Sequence, residues 1–181
     1  MDRYQLKVVR FQKTKDLLPY VNEMFDLLNQ TYHQLQSFVP IQNEQVEHYK
    51  KKYFQYIDPR YVVCVADSND KLIAFSVIMP QFSKALKKAN GSMFPFGLFH
   101  IIKASWFHRT VSPYLIGILP AYQRKGINAI IFDEIHKTLH KRNIRFVETN
   151  PALEENKAML SLWKHFDHQV IKRRRTYTKE L

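Results

Sequence analysis

Leu119-Pro120-Ala121-Tyr122-Gln123-Arg124-Lys125-Gly126-Ile127-Asn128-Ala129 is the stretch on which the fold turns. Upstream of it, Tyr114 to Leu119 is continuously apolar, as a central strand covered on both faces would be, and Pro120 stops the run. Downstream, Ile130, Ile131, Ile135 and Leu139 line one side of a helix, with His136, Lys137, His140 and Lys141 on the other. The segment therefore joins a strand to a helix start through a short basic turn. The first N–H groups of a helix have no partner inside it, and the helix dipole leaves about half a positive charge at that end. A phosphate is stabilised there. Gly126 lets the backbone approach an anion closely, and Gln123, Arg124 and Lys125 add donors and charge.

Two familiar phosphate loops are excluded. A Walker loop requires a glycine five positions before Gly126, where Ala121 stands, and a dinucleotide fingerprint requires further glycines that this loop lacks.

Working outward, Gln5 to Phe11 alternates as an opening strand, and Leu17, Val21, Met24, Phe25, Leu28 and Leu35 repeat at helical spacing after caps at Thr14 or Asp16. Pro40 breaks that helix. Asn43 is positioned to cap a second one, whose Val46, Tyr49, Tyr53 and Ile57 share a face and which Asp58-Pro59 ends. Tyr61 to Ala66 and Leu72 to Met79, joined by Asp67-Ser68-Asn69-Asp70, read as an antiparallel hairpin. Arg145 to Thr149 is expected to lie parallel to the central strand, reached through the amphipathic helix as a right-handed crossover. A helix from about Asn156 to Phe166 and a strand from about Gln169 to Thr178 complete the chain.

The 181 residues suit one domain, read as a single unit from 1 to 181, and no apolar run approaches the length needed to cross a bilayer. The first residues carry no export pattern, and the lone Cys64 has no intrachain partner, so a cytoplasmic location is expected. The net charge of +12 favours anionic partners. The basic residues fall in separate clusters, Lys50–Lys52, Lys84–Lys88, Lys141–Arg145 and Lys172–Arg175, without a nucleic-acid-binding motif, which favours a polyanionic cofactor over nucleic acid.

Gln123-Arg124-Lys125-Gly126-Ile127-Asn128 after a strand ending in Pro120 resembles the Gln/Arg-x-x-Gly-x-Gly/Ala hallmark of the GNAT N-acetyltransferases. The likeness runs from about Gln5 to Leu181 in element order. Phe38-Val39-Pro40, Asp58-Pro59, Phe94-Pro95-Phe96-Gly97, Gly117-Ile118-Leu119-Pro120 and Arg175-Thr176-Tyr177 are similar to a group of bacterial GNAT-like proteins, members of which can carry a further domain ahead of this one. The resemblance implies an α/β fold with a mixed sheet of about six or seven strands and splayed central parallel strands.

It also implies acetyl-CoA as cofactor and an amine as acceptor. Backbone groups of Gly117 to Leu119 would pair with pantetheine, with the N–H of Ile118 or Leu119 polarising the thioester carbonyl. Amides of Arg124, Lys125, Gly126, Ile127, Asn128 and Ala129 would wrap the pyrophosphate. Asn156 matches a family asparagine near the cofactor arm; an ordinary helix cap is the other reading.

The chain departs from the family pattern twice. Asn128 replaces the final glycine or alanine, and Trp163 stands where many relatives have the tyrosine that protonates the departing thiolate, a task indole cannot perform. That second departure keeps open a catalytically inactive module that binds CoA or a protein. Glu148, near the end of its strand, is the expected general base, with partial burial raising its pKa; a carboxylate merely paired with a cation is the alternative. Tyr177 or Tyr114 would replace the missing acid, against the alternative of core tyrosines. The histidine pairs His136/His140 and His165/His168 lack the companions of a usual metal site, so no metal is expected. Cys64 is expected to be a buried, inert thiol. Between Gln81 and Thr110, an insertion rich in Met93, Phe94, Phe96, Leu98, Phe99, Ile101, Ile102, Trp106 and Phe107 reads first as core packing, then as a pocket wall, then as a membrane contact helped by Lys84, Lys87, Lys88 and Lys103.

Overall fold

The computed structural model describes residues 5–33, 38–54, 57–90, 97–154, 156–175, 177 and 179. Met1–Glu148 and Thr149–Leu181 form two compact units. The first contains a five-stranded sheet in the order β1(Lys7–Arg10), β2(Val62–Ala66), β3(Leu72–Pro80), β4(Thr110–Ile118), β5(Phe146–Val147). β1 to β4 are antiparallel neighbours, and β4 and β5 are parallel. The mixed α/β architecture expected from the sequence is present, with fewer strands.

The β2–β3 hairpin forms because its turn closes locally. Asp67 Oδ1 accepts from the N–H groups of Asn69 (2.9 Å) and Lys71 (3.1 Å), and Asp67 N–H donates to the Lys71 carbonyl. Both strands are buried on both faces almost throughout. Val63, Val65, Ile73, Val111 and Ile118 meet Ile127, Ile131 and Ile135 of helix α5 (Ile127–Lys141), while Val62, Cys64, Phe75 and Val77 meet Leu17, Leu27 and Leu28 beneath helix α1 (Leu18–Tyr32). The alternation of β2 thus assigns one face of the sheet to each helix.

α2 (Asn43–Tyr53) starts one residue differently from expectation: Gln42 is its cap and Asn43 its first helical residue, with Gln42 N–H donating to Gln45 Oε1 at 3.0 Å. Asp58 caps a short 3-10 turn, Pro59–Tyr61, by accepting from Arg60 N–H. Leu35, Gly91, Met93, Phe94, Pro95 and Phe96 lie outside the described residues, as does the Leu98 side chain.

Three expectations are corrected. The insertion forms helices α3 (Ser83–Lys88) and α4 (Gly97–Trp106), but its described aromatic residues Phe99, Trp106 and Phe107 are exposed rather than core, as is Ile102, with Phe107 at 82%. Their spacing places Phe99, Ile102 and Trp106 on one face of α4, and among the described residues the sheet is already filled by β-branched side chains. β4 is not covered on both faces either. Tyr114 is 53% exposed, and the doubly covered strands are β2 and β3, because β4 borders a β5 of only two residues.

In the second unit, α6 (Lys157–Trp163) forms as expected, whereas the described residues from 169 to 175 form no strand. The run contains Lys172-Arg173-Arg174-Arg175, whose like charges oppose close pairing, and Val170 and Ile171 stay exposed.

Candidate functional site

β4 is the element on which the site is built. It pairs with β3 along its whole length, with one register shift between Val77 and Ile78 that leaves Tyr114 without a paired partner. With β5 it pairs only through Thr110↔Phe146 and Val111↔Val147. The last ties at this junction run from Glu148 N–H to the Val111 carbonyl (2.9 Å) and from Ser112 Oγ to the Glu148 carbonyl (2.6 Å). Beyond Ser112 the edge of β4 that faces away from β3 has no strand neighbour among the described residues. The expected splaying of the two parallel strands is this early end of their pairing.

The ladder decides which backbone groups point to that open edge. Leu119 N–H donates to the Ile73 carbonyl at 2.9 Å, so Leu119, Gly117 and Leu115 turn their polar groups toward β3, and Ile118 and Ile116 turn theirs outward. Of the two residues expected to present an N–H, Ile118 can do so. Leu119 cannot, its N–H being consumed by the sheet.

The outward carbonyls are occupied by side chains. Tyr32 Oη donates to the Ile116 carbonyl (3.0 Å), and the Ile118 carbonyl accepts from Gln123 Nε2 (3.2 Å) and lies 3.4 Å from Thr31 Oγ1. Gln123 therefore braces the strand end rather than offering its amide to an anion. Local sequence pattern alone does not mark Thr31 and Tyr32 as neighbours of β4. The available signal was their place four residues after Leu27 and Leu28, which puts two hydroxyls on the core-facing stripe of α1.

At the far end of β4, Pro120–Tyr122 forms a 3-10 turn and α5 begins from Gly126. Arg124 has φ +60° and Gly126 has φ +82°, left-handed conformations that turn successive N–H groups toward a common point. Nothing lies within 4 Å of where a Gly126 Cβ would sit, so the loop is open on that side. Arg124 and Lys125 are exposed, and the Lys125 ammonium rides 5.4 Å above the Tyr122 ring. Ile127 is buried, so it offers only backbone, and Asn128 is half-buried. The N–H groups of Gly126, Ile127 and Asn128 precede the first intrahelical bonds. Ala129 is corrected: its N–H already donates to the Gly126 carbonyl at 3.0 Å, closing the first turn.

Glu148 sits at the point where β4 and β5 part, half-buried, with its carboxylate accepting from Gln81 Nε2. Tyr114 is too exposed to be the core residue its apolar strand suggested. In the second unit, Asn156 caps α6, its side-chain oxygen accepting from Met159 N–H at 3.1 Å. Trp163 ends that helix with its ring 6.2 Å from Phe166. Tyr177 is 82% exposed.

No family model matches the chain. It is 28% identical to Protein YghO of Escherichia coli (strain K12) over 134 residues, which take in 70% of this chain and 34% of that protein, so the chain spans about a third of its relative. Among solved structures, aminoglycoside N-acetyltransferase AAC(6')-Iy in complex with CoA superposes with a TM-score of 0.58 at 10% identity, over 98% of this chain and 97% of that one. The ribosomal-protein-S18-alanine N-acetyltransferase from Escherichia coli gives 0.55 at 12% identity, over 88% and 75%. With its parallel strands parting above Glu148 and its helix starting at a left-handed glycine, this chain has the GNAT fold.

Proposed function

We propose that this chain is an N-acetyltransferase that uses acetyl-CoA and an amine acceptor. The observation that carries the reading is the open edge of β4, which presents backbone groups of Ile116 and Ile118 beside the unsatisfied N–H groups at the start of α5. An extended amide chain adds to such an edge as a strand does, and a diphosphate suits the helix start. AAC(6')-Iy, which shares the fold, was solved with CoA, and this supports the same ligand here.

Acetyl-CoA supplies the acetyl group as a thioester. Gly126, Ile127 and Asn128 N–H groups, with Arg124 and Lys125, hold the pyrophosphate. The Ile118 N–H is the donor placed to polarise the thioester carbonyl. Glu148, held at the strand junction by Gln81, takes the proton that the amine loses as the new carbon–nitrogen bond replaces the carbon–sulfur bond.

Trp163, in place of a proton-donating tyrosine, favours a second reading in which the chain binds CoA without transferring the acetyl group. Calorimetry with acetyl-CoA, followed by a thiol-release assay across a panel of amines, separates the two. Binding with thiol release supports the enzyme, binding without release supports the inactive module, and no heat at millimolar ligand rejects both.

A further inference from the structure

At the far end of β4 two side chains donate to outward carbonyls, Tyr32 Oη to Ile116 and Gln123 Nε2 to Ile118, while Thr31 Oγ1, 3.4 Å from the Ile118 carbonyl, gives its proton to the Leu27 carbonyl at 2.8 Å. Tyr32 is the more telling of the two. Its hydroxyl is partly buried and reaches across 84 residues of sequence to the carbonyl of Ile116. Ile116 lies two residues, about 7 Å, from Ile118 and four residues, about 13 Å, from Ser112 at the junction, by the rise of a strand. The Tyr32 hydroxyl thus sits along the edge between the pyrophosphate end of the site and Glu148.

Resting on the reading above, we infer that Tyr32 is a hydrogen-bond donor that stabilises the departing thiolate of CoA. The ligand arm enters from the α5 end, so a thioester carbonyl on the Ile118 N–H sets the sulfur next along the edge, toward the Ile116 carbonyl that Tyr32 now uses, and the hydroxyl turns from that acceptor to the sulfur. The carbon–sulfur bond breaks with its electron pair remaining on sulfur, and Tyr32 donates a hydrogen bond to that sulfur without giving up its proton. Burial raises the Tyr32 pKa above its ordinary value, against the opposing effect of the bond to Ile116, so the group stays a neutral donor across the working pH range.

The test is CoA bound to the full chain, titrated with pH while thiolate absorbance is followed in the ultraviolet. The comparison is wild type against Tyr32→Phe, with calorimetry of CoA and of desulfo-CoA, which lacks the thiol. The bound thiol should be a roughly tenfold weaker acid in Tyr32→Phe, a rise of about one pH unit, the effect of losing one hydrogen bond to a charged acceptor. Desulfo-CoA affinity should be unchanged. An unaltered thiol titration would overturn the inference, and so would loss of both CoA and desulfo-CoA binding, which would make Tyr32 structural. Failure of wild type to bind CoA would instead strike the acetyltransferase reading itself.

Discussion

Replacing Gly126 separates the backbone requirement of the loop from its charge requirement. At φ +82° an alanine is strained by about 1–2 kcal/mol, but its Cβ would enter open space, so no clash adds to that penalty. For a chain of this size the loss lowers Tm by about 2–8 °C. Gly126→Glu carries the same backbone strain and adds a negative charge. At a separation of about 6 Å and an effective dielectric near 20, one phosphate charge repels that carboxylate by about 3 kcal/mol. That corresponds to roughly a hundredfold in Kd. Calorimetry of acetyl-CoA against both variants, with thermal melts to match their stabilities, isolates the electrostatic part. If the Glu and Ala variants bound the cofactor within about threefold of each other, the phosphate would lie elsewhere and the assignment of this loop would fail.

Gly117→Ala would place a Cβ 2.6 Å from Leu27 Cδ2 and 2.9 Å from Phe75 Cε1, and both neighbours are fully buried. Urea denaturation should show a loss of about 1–3 kcal/mol from overpacking, and an unchanged midpoint would refute the close approach of α1. Burial and the nearby Glu23 carboxylate push the Cys64 thiol up to about 12, so it should resist thiol reagents until the protein unfolds; stoichiometric labelling at neutral pH without denaturant would contradict this. Burial, then the Arg142 guanidinium, hold the His108 pKa below its ordinary value. A depressed folded-state pKa adds stability above the unfolded value near 6.5, lost as pH falls through that value toward the folded one. Thermal melts between pH 7 and 5 should therefore show a smaller decline in His108→Gln than in wild type, and equal declines would refute the contribution.

The parts of this fold legible in the sequence are those whose causes are local. The β2–β3 hairpin follows from Asp67 bonding residues two and four positions ahead, and α5 from apolar residues at helical spacing after Gly126. The stretch from Gln169 onward had the branched residues of a strand but also four consecutive cations, and pairing partners are not written in local pattern. The aromatic insertion misled for the opposite reason: hydrophobicity shows that a residue favours burial, not that the core has room for it.

Around the candidate site, the helix start at Gly126 was legible because Pro120 ends the strand and apolar residues recur at helical spacing from Ile127. Tyr32 was not, since its acceptor lies 84 residues away. The exclusion of Leu119 and Ala129 needed the register of β4 and the first bonds of α5, which only the folded backbone supplies.

An uncovered strand margin invites any extended polypeptide to zip onto it, which is a common beginning of aggregation. By occupying the Ile116 and Ile118 carbonyls, Tyr32 and Gln123 remove two of the acceptors such an intruder would need. On the proposed reading, a ligand anchored at its diphosphate would still draw the Tyr32 hydroxyl from the Ile116 carbonyl, because its anchor would hold it in place while the exchange occurs. The same few bonds therefore work as a gatekeeper, guarding the edge against strand pairing and, on that reading, leaving it open to an anchored guest.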